Sequence, residues 1–299
     1  MGHILQRDRI SPVKGSQGLP ITISEIMQGS IRVVGKYDTI AHARNILLRE
    51  RLSRLVVIDK GVPVGVLTKK DILKALSNFR TRQRELDSIG INEVMRSPVI
   101  VIKEGASIKE AAQLMSSEGI RGLPVTDDRG ALVGIITKTD LTRYFSDNYK
   151  GCYAVKDVVD LGKEPPMVHR THTIYRVIDL MDELSTDRVI VVEENKPIGV
   201  ITETDLSFVK PYRGEEPFFK GRKVEEREVK LTRVYALPIA EDIMTPDPLV
   251  IESTADAGAV AGKLIENGIG GMPIVDGYGM LLGIITKFDF VKALAAEVQ

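Results

Sequence analysis

Four short stretches of the sequence carry the same side chains at the same spacing. They are Gly65-Val66-Leu67-Thr68-Lys69-Lys70-Asp71, Gly134-Ile135-Ile136-Thr137-Lys138-Thr139-Asp140, Gly199-Val200-Ile201-Thr202-Glu203-Thr204-Asp205 and Gly283-Ile284-Ile285-Thr286-Lys287-Phe288-Asp289. In each, a Thr ends an apolar run and an Asp follows three residues later. An ionised Asp is an acceptor with two oxygens, suited to paired hydrogen bonds from the vicinal 2′- and 3′-hydroxyls of a ribose. A Thr hydroxyl at the strand end can donate to a phosphate, and the first-turn amides of the following helix add a weak anion site. An apolar slot between paired strands would take an adenine. The same pair has a plainer reading, in which the Asp caps the helix and the Thr ends the strand. One Thr-x-x-Asp does not separate the two; four in register favour binding at one or more of them.

The elements that position these pairs repeat as well. Each stretch lies downstream of a helix N-cap residue: Thr39, Ser107, Thr173 and Asp256. From cap to motif Thr the distances are 29, 30, 29 and 30 residues. Apolar stripes at helical spacing follow the caps: Ile108, Ala111, Ala112 and Met115; Ile174, Val177, Ile178 and Met181; Ala257, Val260, Ala261 and Leu264. The first stripe, Ile40, Ala43 and Leu47, is interrupted by Arg44, and Ser107 with Glu110 makes a capping box. The expected order is strand, helix, strand, turn, strand, helix. In the second repeat it reads Val99–Ile102, Ser107–Glu118, Leu123–Thr126, Ala131–Thr137 and Thr139–Phe145, with a hairpin at Asp127–Gly130. A unit of about 60 residues buries little core alone, so units should pair.

Odd and even repeats differ. The first and third have Pro63 and Pro197 in the inter-strand turn, and Ser53-Arg54 and Asp187-Arg188 where the middle strand begins. The second and fourth have Gly130 and Gly279 in a turn one residue longer, and Gly122-Leu123-Pro124 and Gly271-Met272-Pro273 at the strand. The chain thus reads as a two-repeat module used twice, at 22–148 (repeats 22–78 and 90–148) and 153–299 (repeats 153–209 and 238–299). Residues 1–21 read as a flexible arm. A connector at 79–89 carries Arg80, Arg82 and Arg84, and an insertion at 210–237 carries Phe218, Phe219, Lys220, Arg222 and Lys223.

Composition narrows the function. Among 299 residues, 41 Lys and Arg balance 41 Asp and Glu, so no whole-chain basic field points to nucleic acid. A single cysteine excludes an internal disulfide framework and a Cys-rich zinc site, and fits a reducing, cytoplasmic setting. No apolar run reaches the roughly 18 residues needed to cross a bilayer, and the N-terminus has no signal-peptide core, so no membrane association is expected. With no Trp, an extended base-stacking platform is not expected.

Ile91-Asn92-Glu93-Val94-Met95, the strand and helix, Gly122-Leu123-Pro124-Val125 and Gly134-Ile135-Ile136-Thr137-Lys138-Thr139-Asp140 resemble a cystathionine-β-synthase (CBS) domain. The second and fourth repeats match most fully, and the third diverges most. The resemblance covers nearly all of the chain from residue 22. It implies an α+β fold of four β-α-β-β-α repeats paired through their sheets into two Bateman modules. It also implies a flat disc of two modules, as in the γ subunit of AMP-activated kinase. Such modules are usually sensors of adenosine-containing ligands: AMP, ADP, ATP or an S-adenosyl-type compound, with no cofactor required. By the resemblance, Asp71, Asp140, Asp205 and Asp289 would hold ribose, and Thr68, Thr137, Thr202 and Thr286 would donate on the phosphate side. Arg54 and Arg188 match the middle-strand Arg that reaches ligand phosphates; the plain alternative is a solvated strand-edge charge.

Other positions carry less. Gly122 and Gly271 bring no charge to the middle-strand site, and Arg121 precedes it by one residue. Lys69, Lys138 and Lys287 follow the motif Thr, whereas Glu203 in the third repeat should weaken phosphate binding there. His42, His169 and His172 lack metal-ligand spacing, and Cys152 has no adjacent base, so neither a metal nor a catalytic thiol is expected. CBS pairs also occur inside inosine-monophosphate dehydrogenases, but the repeats leave no barrel-sized region and no catalytic Cys loop. The expectation is a non-catalytic regulator that binds an adenosine compound and acts on a protein partner, with a homodimer allowed. A nucleic-acid-associated module using the basic arm and connectors is the alternative.

Overall fold

The first repeat builds the pattern that the others follow. The computed structural model describes residues 21–50, 52–77, 84–206 and 238–296; the arm at 1–20, Arg80 and Arg82, and the 210–237 insertion lie outside the described residues. Strand β1 (Val33–Gly35) precedes helix α1 (Ile40–Arg49), and the hairpin β2 (Arg54–Asp59) and β3 (Val62–Thr68) runs straight into α2 (Lys69–Ser77). β1 pairs parallel to β2, and β2 antiparallel to β3. Thr39 caps α1 by accepting from the His42 amide. Ile40, Ala43, Ile46 and Leu47 are buried on Leu55, Val57 and Leu67, while Arg44 faces outward.

The second repeat comprises β4 (Ile102–Lys103), α3 (Ile108–Ser117), β5 (Gly122–Thr126), β6 (Leu132–Thr137) and α4 (Lys138–Asn148). Its first strand is shorter than the sequence suggested: Ile100 and Val101 are exposed, and pairing with Val125 begins only at Ile102. The third contains α5 (Val155–Val158), β7 (Met167–His169), α6 (Ile174–Glu183), β8 (Arg188–Glu193), β9 (Lys196–Thr202) and α7 (Glu203–Leu206). Thr173 holds extended cap geometry at α6 without accepting a side-chain hydrogen bond. The fourth contains α8 (Ala240–Ile243), β10 (Thr245–Pro246), β11 (Ile251–Glu252), α9 (Ala257–Glu266), β12 (Gly271–Val275), β13 (Leu281–Thr286) and α10 (Lys287–Ala296).

The turns explain the alternating spacing. Lys60-Gly61 and Glu194-Asn195 form two-residue hairpins with positive φ at both positions, the geometry that matches strand twist. Pro63 and Pro197 therefore lie in β3 and β9, not in the turns, each paired just beyond a register shift where a missing amide is tolerated. In the even repeats Asp127 and Asp276 hold longer turns. Asp127 Oδ1 accepts from the Arg129 and Ala131 amides at 2.9 and 2.8 Å, and Gly130 takes φ of 82°.

The segment before each first strand packs on the partner repeat. Ile89, Ile91, Val94 and Met95 complete the core of the first repeat, and Ala240, Ile243 and Met244 that of the third. In return, the Ile23 amide donates to Ala106 O at 3.0 Å, and Gln28 bridges Ile135. The motif glycines admit these lead-in segments. A Cβ on Gly65 would lie 2.6 Å from Met95 Sδ, and one on Gly134 2.6 Å from Met27 Sδ.

The chain divides into two compact units: Met1–Tyr153 with Asp256–Ile269 and Thr286–Gln299, and Ala154–Ala255 with Gly270–Ile285. In the first unit α3 and α4 pack on α9 and α10. Phe145 stacks on Tyr149 at 4.8 Å between centroids and meets Phe290 at 5.0 Å. A Cβ on Gly258 would come within 2.7 Å of the Lys150 backbone, so only glycine permits this approach of α9 to the end of α4. Among the described residues no helix is long and apolar enough to cross a membrane.

Candidate functional site

Each motif Thr is the last residue of its strand and each Asp the third residue of the helix that follows, so the pair closes on itself. Asp71 Oδ2 accepts from the Thr68 amide at 2.9 Å and from its hydroxyl at 2.5 Å, and the Asp71 amide donates back to Thr68 Oγ1 at 3.2 Å. Asp140 Oδ2 accepts from the Thr137 amide and hydroxyl at 2.8 and 2.6 Å. The Thr202–Asp205 bonds are both 2.7 Å, and those of Thr286–Asp289 are 2.8 and 2.7 Å. The helix-capping reading is therefore realised in all four repeats. The hydroxyls of Thr68, Thr137, Thr202 and Thr286, the residues expected on the phosphate side of a ligand, each donate to the carboxylate of their own pair. One oxygen of each Asp, Oδ1, lies outside the clamp, and its lone pairs can accept from two hydroxyls.

In the first unit that oxygen is addressed by the partner repeat. Arg96 Nε donates to Asp71 Oδ1 at 2.9 Å, and Gln28 Nε2 donates to Asp140 Oδ1 at 3.1 Å. Asp140 is buried, and Arg143 approaches its Oδ1 at 3.8 Å. Lys292 stands 3.6 Å from Asp289 Oδ1. Neither Arg96 nor Gln28 figured in the sequence reading. The signal was their position directly after Met95 and Met27, the residues seated on the motif glycines.

Arg54 and Arg188 occupy matching places with different surroundings. Arg54 pairs with Thr68 across the β2–β3 ladder, and Arg188 with Thr202 across β8–β9. Each guanidinium extends to a glycine of the even repeat in its own unit. A Cβ on Gly122 would lie 2.9 Å from Arg54 Nη1, and one on Gly270 2.5 Å from Arg188 Nη2. Among the described residues Arg54 stands in no ion pair. Burial, with the like charges of Arg121 and Arg96 beside it, pushes its pKa down to about 10. Arg188 is buried and donates from Nε to Asp187 Oδ1 at 2.7 Å. Ser53 takes the place of Asp187 in the first repeat.

The remaining candidates are occupied locally. His172 Nδ1 accepts from the His169 amide at 3.1 Å, and His169 Nδ1 meets Thr171 Oγ1 at 2.9 Å. Among the described residues no three His, Cys, Asp or Glu side chains gather as a metal site. Cys152 Sγ lies 3.5 Å from Lys150 O. Of the basic connector, Arg84 is paired with Glu93 at 2.8 Å.

Four hairpin-and-helix repeats, each ending in a clamped Thr–Asp pair and exchanging lead-in segments, define a tandem-repeat α+β protein. The CBS-domain profile matches residues 23–78, 91–147, 155–210 and 240–296, and the chain belongs to the CBS-domain family. Protein MJ1225 of Methanocaldococcus jannaschii is 26% identical over 289 residues, covering 92% of this chain and 99% of that protein. Its crystal structure, described as that of a candidate archaeal homologue of γ-AMPK, superposes with a TM-score of 0.71 at 23% identity over 91% of this chain and 99% of that one. A conserved protein of Pyrococcus horikoshii gives a TM-score of 0.64 at 23% identity, covering 92% of this chain and 100% of its own.

Proposed function

We propose that the chain is a non-catalytic regulatory protein whose CBS pairs, in modules at 22–148 and 153–299, bind adenosine-containing ligands. The observation that carries this reading is the fourfold clamp, which fixes each Asp and turns Oδ1 away from the helix cap. A ribose diol hydrogen-bonds to Oδ1, and Arg54 takes a phosphate on the adjacent strand end. In the first unit Oδ1 already bonds Arg96 or Gln28 of the partner repeat. A diol that takes this oxygen displaces that bond and so shifts the balance between two arrangements of the paired repeats. The shift alters the surface offered to a protein partner.

Native mass spectrometry of the purified chain with AMP, ADP, ATP, adenosine, S-adenosylmethionine and GTP tests the reading. Adenosine compounds should bind in whole-number stoichiometry and GTP should not. Absence of every adenosine adduct at millimolar concentration sinks it.

A further inference from the structure

Methionines fill most of the joints between paired repeats. In three of the four, a lead-in methionine lies on a motif glycine: Met27 on Gly134, Met95 on Gly65 and Met244 on Gly199; Leu161 takes that place on Gly283. The backbone beside each methionine is pinned. The Gln28 and Ile135 amides donate to each other's carbonyls at 2.9 and 3.0 Å, those of Arg96 and Val66 do so at 2.9 and 3.1 Å, and Thr245 pairs with Val200. Met95 and Met244 also complete the cores of the first and third repeats. None of the three is sealed, however: all are half-buried, whereas Met115, Met181 and Met272 are buried. Met167 and Met280 are half-buried as well, but neither lies against a motif glycine.

A thioether is apolar and flexible enough to fill a glycine cradle, and its sulfur is open to oxidation. Leu161 shows that an aliphatic side chain fits the same place, so packing alone does not require sulfur there. We propose that Met27, Met95 and Met244 are peroxide-sensitive modification sites whose oxidation unlocks the paired repeats. Each sulfur takes one oxygen atom from hydrogen peroxide and becomes a sulfoxide, the peroxide is reduced to water, and no proton is gained or lost by the chain. The new oxygen is a strong acceptor set among apolar groups, while the amides of the flanking bridge are already spent on carbonyls. A polar group held in such a place without a partner is unfavourable. With the glycine face filled and the backbone pinned, the lead-in segment lifts to bring that oxygen to water. Arg96 and Gln28 directly follow Met95 and Met27, so their bonds to Asp71 and Asp140 go with the segment. The Leu161 joint has no sulfur and stays shut.

Treatment of the full chain with hydrogen peroxide, followed by peptide mass mapping, thermal unfolding and amide exchange, tests this. Met27, Met95 and Met244 should each gain an oxygen before Met115, Met181 and Met272 do. The melting temperature should fall by several degrees, and the Gln28 and Arg96 amides should lose protection. Methionine sulfoxide reductase should restore all three readouts; dithiothreitol alone, which reverses a disulfide or sulfenic acid at Cys152, should not. The triple variant Met27→Leu, Met95→Leu, Met244→Leu should keep its melting temperature in peroxide. The single variant Met95→Leu should keep protection at the Arg96 amide while the Gln28 amide loses it, a local contrast that does not depend on the triple variant folding. An equal fall in the triple variant overturns the proposal, as do three oxidised methionines with unchanged exchange at Gln28 and Arg96. So does resistance of all three sulfurs to peroxide in the folded chain.

Discussion

Replacing Arg54 should do to stability the opposite of replacing Arg188. A protein arginine that exists to hold the fold is paired, and its loss leaves a partner without its counter-charge. Arg188 fits that description: it is buried, with Nε 2.7 Å from Asp187 Oδ1. Removing one member of a fully buried pair costs about 3–5 kcal/mol, and with Asp187 only half-buried the loss here should fall below that. Arg54 is placed at a cost instead. Burial first, then Arg121 and Arg96, lower its pKa from the usual guanidinium range to about 10, which corresponds to roughly 3 kcal/mol against the cation in the fold. The sign follows from linkage: a base with a depressed folded pKa carries its full penalty below about pH 10 and sheds it as the pH rises through that value. At neutral pH the penalty is constant. Arg54→Met keeps the apolar stem and removes the charge, so the ligand-free variant should unfold at the same temperature as wild type or higher. Arg188→Met should unfold several degrees lower, at about 2–4 °C for each kcal/mol in a chain of this class. Differential scanning calorimetry at pH 7 in nucleotide-free buffer reads both. Equal losses in the two variants would refute the view that Arg54 is held for an anion, not for the fold.

Two further outcomes follow from the same geometry. Gly134→Ala places a methyl 2.6 Å from Met27 Sδ and 3.0 Å from Gln28 O; the sulfur can swing aside but the carbonyl cannot. Urea denaturation should show a loss of about 1–3 kcal/mol, only partly recovered by adding Met27→Ala, and an unchanged midpoint would contradict the docking of this segment. The hydrogen bond from Arg84, then that from the Gly90 amide, lowers the Glu93 pKa from 4.5. A carboxylate with a depressed folded pKa stabilises above its ordinary value and loses that contribution as the pH falls through the lowered one. Wild type should therefore exceed Glu93→Gln in melting temperature at pH 7, and the gap should narrow as the pH falls below 4.5; a gap that does not narrow counts against this pairing.

The repeats, the hairpins and the helix faces were legible in the sequence because each is a local pattern: a cap, a stripe, a turn residue. Arg44 looked like a flaw in the first stripe, yet Ile46 takes its place and Arg44 turns outward. The misplaced Pro63 and Pro197 show the limit of such reading. A proline suggests a turn, but the turns lie at Lys60-Gly61 and Glu194-Asn195, and the register shift that accommodates each proline is set by the pairing of two strands. The lead-in exchange was invisible for a related reason. An apolar segment such as Ile91–Met95 looks the same whether it covers its own repeat or its neighbour, and only the distant partner decides.

The odd repeats also reach the even ones through their arginines. Arg54 and Arg188 extend across to the even repeat of their own unit, where a Cβ on Gly122 would lie 2.9 Å from Arg54 Nη1 and one on Gly270 2.5 Å from Arg188 Nη2. Gly270 aligns with Arg121 and Gly271 with Gly122, so the two contacts share a direction between repeats but not a position. The aspartates carry the same logic. Each is clamped within its own repeat, but in the first unit the oxygen left over is answered from the other repeat, by Arg96 for Asp71 and by Gln28 for Asp140. A ligand that competes for that oxygen cannot bind without disturbing a bond between repeats. Under the proposed function the coupling needs no long pathway, because the oxygen proposed to accept from the ligand is the one that already bonds the neighbouring repeat.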